Sequence, residues 1–176
     1  MKYSLLFFSM IMFLSCSKIE PRRPIHQKPS KTLYFEAMEE NKRLNQIENE
    51  KILNAIKNDS LNTYIQSSSG FLYTYIKKIE EDLPTPAKGD EVVISYNISD
   101  LRNTIIYSKE ELGIKNYTVD KEDFISGLQK GIKLMKMGET ITFVIPSYSA
   151  FGITGDGHKI GINQSIKSTV TLINIK

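Results

Sequence analysis

Asp120, Glu122 and Asp123 place three carboxyls within four positions, a spacing open to acid–base work or to metal ligation. An apolar period begins directly after them, which makes them the acidic first turn of a helix, favoured there by the helix dipole. The stretch "GITGDGHK" (152–159) has the glycines of a phosphate loop but lacks the Gly-Lys-Ser/Thr ending. His158 within it has no cysteine or histidine at ligand spacing and reads as a solvent-facing loop histidine. No Gly-x-Ser-x-Gly elbow is present, so nucleophilic catalysis has little support. What remains is aromatic. In "TFVIPSYSAFG" a strand stops at Pro146, and Tyr148 and Phe151 follow in a Ser/Gly loop. Two rings in a donor-poor loop at a strand mouth suit a small apolar ligand.

The elements that must position these rings follow from periodicity. "FLYTYIKKI" (71–79), "VVISYNIS" (92–99), "NTIIYS" (103–108), "IKNYTV" (114–119), "TITFVIP" (140–146) and "SIKSTVTLINI" (165–175) read as extended stretches. Between them, "KEDFISGLQKGIKLMKM" sets Phe124, Leu128, Ile132 and Met135 on one helical stripe, capped by Asp120 and ended at Gly138. One helix among about five strands gives an α+β domain over 62–176, a sheet packed by one face onto a single helix.

Ahead of it, residues 31–58 have no glycine or proline and are rich in Glu, Lys, Leu, Gln and Asn, the composition of a helical arm. Its ends are apolar (Leu33 to Met38; Ile52, Leu53, Ile56), while its middle offers only Leu44 and Ile47. So thin a seam favours a spacer or docking helix over a coiled coil and leaves self-association through 31–58 as the alternative. "SKIEPRRPIHQKPS" (17–30), with three prolines, reads as an extended tether. Residues 1–15 pair Lys2 with a short apolar run, as a secretory signal does. "FLSC" resembles a bacterial lipobox, which implies lipidation of Cys16, the single cysteine. Ser17 after it resembles the pattern of an outer-membrane destination facing the periplasm. The net charge of +3, with no basic stripe interleaved with aromatics, leaves no electrostatic footprint for nucleic acid.

Three motifs in order carry a family resemblance over about residues 70–176. They are "GDEVVISY" (89–96), "FISGLQKGIKLMKMGE" (124–139) and "PSYSAFG" (146–152). Together they resemble the FKBP-type peptidyl-prolyl cis-trans isomerases. With the lipobox and the arm, the whole chain resembles the lipoprotein members linked to gliding motility.

The resemblance implies a half-barrel antiparallel sheet wrapped over the 121–136 helix, with a proline pocket between them and no cofactor. It assigns catalytic positions to Tyr96, Ile106, Phe124, Ile125, Leu128, Tyr148 and Phe151, and substrate-binding positions to Tyr117, Ile162 and Val170. The Ile125 backbone N–H would hold a substrate carbonyl. Proline-containing segments of exported proteins would be the partners.

Departures from the family pattern remove polar handles. Tyr107 stands where an aspartate is usual, beside Ile106 in place of an aromatic; Leu128 replaces a tryptophan, Phe151 a tyrosine and Val170 an aromatic. The alternative function is therefore a non-catalytic chaperone or adaptor that holds proline peptides.

Overall fold

The structure is a computed structural model and describes residues 30–176; the signal segment, Cys16 and the tether as far as residue 29 lie outside the described residues, and Ser30, expected at the tether's end, opens a helix. Residues 41–176 form a compact unit. The long helix α1 runs Ser30–Lys57, and its part from Asn41 onward lies in that unit.

Eight strands form one antiparallel sheet: β1 (Ile65–Gln66), β2 (Leu72–Lys77), β3 (Glu91–Tyr96), β4 (Ile98–Ser99), β5 (Ile105–Tyr107), β6 (Ile114–Thr118), β7 (Thr140–Ile145) and β8 (Ile166–Ile175). Their order is β1-β2-β7-β8-β3-β6, with β4 pairing β5 and β8 off this path. The count exceeds the expected five or so because the short stretch 114–119 is a full strand, the stretch 92–99 is split and a two-residue β1 is added. The split falls at Asn97. Its side-chain oxygen accepts from the Thr169 N–H (2.8 Å) and its carbonyl from the Ser168 hydroxyl (2.7 Å), satisfying the polar groups that leave the ladder.

Alternation sends Ile141, Phe143 and Ile145 of β7 and Val170 and Leu172 of β8 to one face, where all are buried. Helix α3 (Ser126–Ile132; a one-turn α2 at Lys109–Leu112 precedes β6) covers this face with Leu128 and Ile132, and Met135 follows from the next turn. Helix and sheet approach closely because Gly127 and Gly131 have no side chain. A Cβ there would lie 2.5 Å from Ile145 and 2.6 Å from the Phe143 ring. The acidic end of the 124–139 motif is also structural: buried Glu139 accepts from the Ile79 N–H (3.0 Å) and the Lys136 N–H (2.8 Å).

The helix is shorter than the apolar stripe predicts, and its start lies six residues beyond Asp120. The β3–β6 pairing continues past β6 through mutual hydrogen bonds, Gly89 N–H to the Val119 carbonyl and Val119 N–H to the Asp90 carbonyl. The chain then has to turn across the sheet before it can coil, and Asp120 takes a left-handed φ of 56° to do so. The three acids thus precede the helix rather than cap it. Asp120 pairs with Lys133 at 2.9 Å, and Glu122 accepts from the Thr118 hydroxyl at 2.6 Å.

The opposite face of the sheet is covered as well. Thr74, Val144 and Lys167 point that way and are buried. The Lys167 ammonium donates to the Asn103 side chain (3.0 Å) and lies 5.8 Å from the centre of the Tyr64 ring. From Asn41 onward α1 belongs to this compact unit, with Ile52 only 2% exposed and neighbouring Leu53 56% exposed. Four positions earlier on the same side as Ile52 sits Glu48, partly buried.

Candidate active site

A cleft of about 520 Å³ opens where the end of β3, the start of α3 and the β7–β8 loop meet. Tyr96 and Phe124 make its base, their rings edge-to-face at 5.4 Å, a favoured aromatic geometry. Ile125, Ile98, Ala150 and Phe151 extend the apolar wall. Ile125 sits at the N-cap position of α3, where backbone N–H groups have no intrahelical acceptor. Burial raises the Tyr96 phenol above its ordinary value, so it stays a neutral hydroxyl across the working pH range.

The mouth is polar. Tyr107 on β5 donates its hydroxyl to Asp156 at 2.5 Å, and Asp123 and His158 stand on the same rim. Asp156 lies between Gly155 and Gly157, both with positive φ, and its other oxygen accepts from the His158 and Ile160 N–H groups at 2.8 Å each. Burial works to raise the Asp156 carboxyl. The Tyr107, His158 and Ile160 hydrogen bonds outweigh it and hold the group at about 2. Tyr107 is raised in turn, chiefly by the same bond. Lys159 faces the outer side of the Tyr107 ring (4.6 Å) and pairs with Glu111 at 2.5 Å.

A family model described as FKBP-type peptidyl-prolyl cis-trans isomerase matches residues 84–173, half of the chain. The chain belongs to this family.

The family is an enzyme class, and relatives agree with it. The chain is 33% identical over 109 residues (62% of this chain, 39% of the relative) to the probable FKBP-type peptidyl-prolyl cis-trans isomerase FkpA of Neisseria meningitidis. It is 30% identical over 91 residues (52% and 39%) to the outer membrane protein MIP of Legionella longbeachae. The matched stretch thus spans about two fifths of the length of these relatives. Among solved structures, FkpA from Escherichia coli superposes with a TM-score of 0.62 at 23% identity, covering 100% of this chain and 82% of that one. A Pseudomonas syringae peptidyl-prolyl cis-trans isomerase gives 0.62 at 18% identity, covering 86% and 98%. These two likenesses establish the FKBP-like fold.

Within this FKBP fold, the positions assigned by resemblance separate into three groups. Tyr96, Phe124, Ile125 and Phe151 line the cleft. Tyr117, Leu128 and Val170 lie beneath it and are fully buried. The Tyr117 ring is 5.3 Å from that of Phe124, and Val170 is the cross-strand partner of Tyr96.

Ile106, Tyr148 and Ile162 are not brought to the cleft. Ile106 packs half-buried against the core, and its neighbour Tyr107 takes the wall, because adjacent strand residues face opposite ways. Tyr148, 60% exposed, turns to Gly70, whose carbonyl accepts from its hydroxyl at 3.4 Å. Ile162 is 67% exposed, because a left-handed Asn163 and the Asn163 N–H bond to the Gly152 carbonyl turn that segment outward.

Asp156 and the rim position of His158 escaped the sequence reading. The signal was an aspartate between two glycines, a turn builder whose carboxylate gathers the N–H groups that follow it.

Proposed function

We propose that the protein is a peptidyl-prolyl cis-trans isomerase, anchored by lipid on Cys16 to the outer membrane and facing the periplasm, that acts on proline-containing segments of exported proteins. The observation that carries the activity is the cleft: an aromatic base of Tyr96 and Phe124, an apolar wall from Phe151, and the Ile125 N–H at a helix start.

The bond preceding proline turns over a barrier of about 20 kcal/mol, because twisting it destroys amide resonance. The twisted form also loses much of its carbonyl dipole, so a dry wall disfavours it less than the planar form. The Ile125 N–H supplies the one hydrogen bond that holds the carbonyl in place. No proton need be transferred, and a wall that binds the twisted form more tightly than the planar one lowers the barrier.

The placement is supported by the lipobox-like "FLSC" and by a relative that is itself named an outer membrane protein. No helix among the described residues is long and apolar enough to cross a membrane. Within this reading 1–15 is the signal, 16–30 the tether, 31–58 the arm and 62–176 the isomerase domain. Self-association through the arm would use Tyr34, Phe35 and Met38, which share one side of the helix and are all at least half exposed. The narrower assignment, folding of gliding-machinery proteins, rests on the resemblance of lipobox plus arm. Loss of gliding on deletion, restored by the wild-type chain and not by Phe151→Ala, is its test.

Exchange NMR on a Xaa-Pro peptide tests the activity. Cis/trans exchange well above the spontaneous rate, abolished by Phe151→Ala, is the expected result. Phe151 has no hydroxyl to offer a substrate, which favours one second reading, a peptide-holding adaptor. Line broadening from binding without faster exchange would decide for it.

A further inference from the structure

The loop from Ser147 to Ser165 leaves β7 two residues after its end and reaches β8 one residue before its start. It carries four of the groups that line the cleft: Ala150, Phe151, Asp156 and His158. Both of its terminal serines are buried, at 5% and 8% exposure. Both are also bound to one carboxylate from outside the loop. Glu48 of α1 accepts the Ser147 N–H at 2.6 Å and the Ser165 hydroxyl at 2.5 Å on one oxygen, and the Ser147 hydroxyl at 3.0 Å on the other.

Hydrogen bonds to an ionised acceptor are stronger than neutral ones, and three on one carboxylate fix its donors relative to one another. The loop's own bonds, such as Gly152 N–H to the Ser147 carbonyl and Asn163 N–H to the Gly152 carbonyl (2.8 Å each), shape its interior but do not hold its two ends to α1. Glu48 lies one helical turn before Ile52 on the packed side of α1, where an apolar residue would be ordinary for packing alone.

We propose that Glu48 is a positioning residue for the isomerase cleft: it clasps both ends of the 147–165 loop, so that α1 from Asn41 onward is a working part of the site. The inference rests on the isomerase reading, and loop order is measured separately so that the two are decided apart.

The test compares the full chain in detergent with Glu48→Ala and Glu48→Gln, at a temperature where circular dichroism shows each fully folded. Exchange NMR on a Xaa-Pro peptide gives kcat/KM, and amide shifts with hydrogen-exchange rates of 148–158 report loop order. Glu48→Ala is expected to lower kcat/KM roughly tenfold, as a misplaced wall does, and to shift and speed exchange at the Phe151 and Asp156 amides. Glu48→Gln, whose amide oxygen still accepts the Ser147 N–H, recovers part of both.

A folded Glu48→Ala with unchanged kcat/KM, or with unchanged loop amides, overturns the proposal. If the wild-type chain itself is inactive, the isomerase reading falls; peptide Kd and the loop amides then decide the clasp alone. Should Glu48→Ala not fold, Glu48→Gln and Ser165→Ala, each weakening only part of the clasp, are held to the same outcomes.

Discussion

The Tyr107 hydroxyl donates to the Asp156 carboxylate at 2.5 Å, joining β5 to the β7–β8 loop across the mouth of the cleft. By family resemblance Tyr107 replaces a strand aspartate and Phe151 a loop tyrosine, two handles lost. A phenol–carboxylate pair nevertheless stands at this mouth, with the phenol on the strand and the carboxylate on the loop. The wall beneath it stays apolar, so the rim can orient a peptide without wetting the reacting bond.

Asp156 should give stability an acid dependence. Its folded value of about 2 lies below the ordinary 3.8, so its hydrogen bonds contribute in full above that ordinary value and are lost as pH falls through about 2. Urea unfolding of wild type and Asp156→Asn at a series of pH values should show a stability gap that is flat near neutrality and narrows below about pH 4. A gap of the same size at pH 2 and pH 7 would remove Asp156 as its source.

Phe151 and Tyr148 stand three residues apart in one loop, one at the cleft and the other against Gly70. Phe151→Ala should lower kcat/KM for a Xaa-Pro peptide by at least roughly tenfold, through loss of wall contact. Tyr148→Ala should stay within about threefold of wild type, since no contact that builds the wall is removed. Equal losses in the two variants would place Tyr148 in the site after all.

Gly131→Ala puts a methyl 2.6 Å from the Phe143 ring, in a core where Phe143 is fully buried. Overpacking of this kind costs about 1–3 kcal/mol, even though alanine is the better helix former. Chemical denaturation should therefore find the variant less stable. Equal or greater stability would show that α3 can lift from β7 at little cost.

Cys16→Ser removes the thiol that the lipid reading requires. Radiolabelled palmitate should enter the wild-type chain and not the variant, and the variant should leave the membrane fraction, since multiple acyl chains are the anchor. Continued sedimentation of an unlabelled variant with membranes would mean that another segment holds it there.

The strands were legible because their alternation is clean: Val92, Ile94 and Tyr96 on β3 are all buried, as are Ile141, Phe143 and Ile145 on β7. Half-buried sheets print a period of two on the sequence. The start of α3 was not legible. The acids at 120–123 satisfy every local rule for a helix start, and only the long-range β3–β6 pairing forces a turn there instead. In the cleft, Tyr96, Phe124 and Ile125, carried by β3 and the approach to α3, were named by resemblance and line it, whereas on β5 the lining residue is Tyr107 and not Ile106. Tyr148, Ile162 and Asp156 sit in a loop whose path depends on left-handed residues and on bonds to distant elements, and no period reports on those. Glu48 was hidden for a similar reason: in a polar helix one more glutamate carries no signal until its partners, 99 and 117 residues away, are in place.

The sheet order also bears on how the chain is made. The ten-residue β8 lies between β7 and β3, and among the described residues no other strand joins the β1-β2-β7 half to the β3-β6 half. Made from its N-terminus, the chain can pair β3 with β6 before β7 exists, and the two halves are joined only when β8 follows. Tyr96 stands on one half, the β7 end of the β7–β8 loop on the other, and the far end of that loop on β8 itself. The cleft therefore comes into being only once β8 has joined both halves.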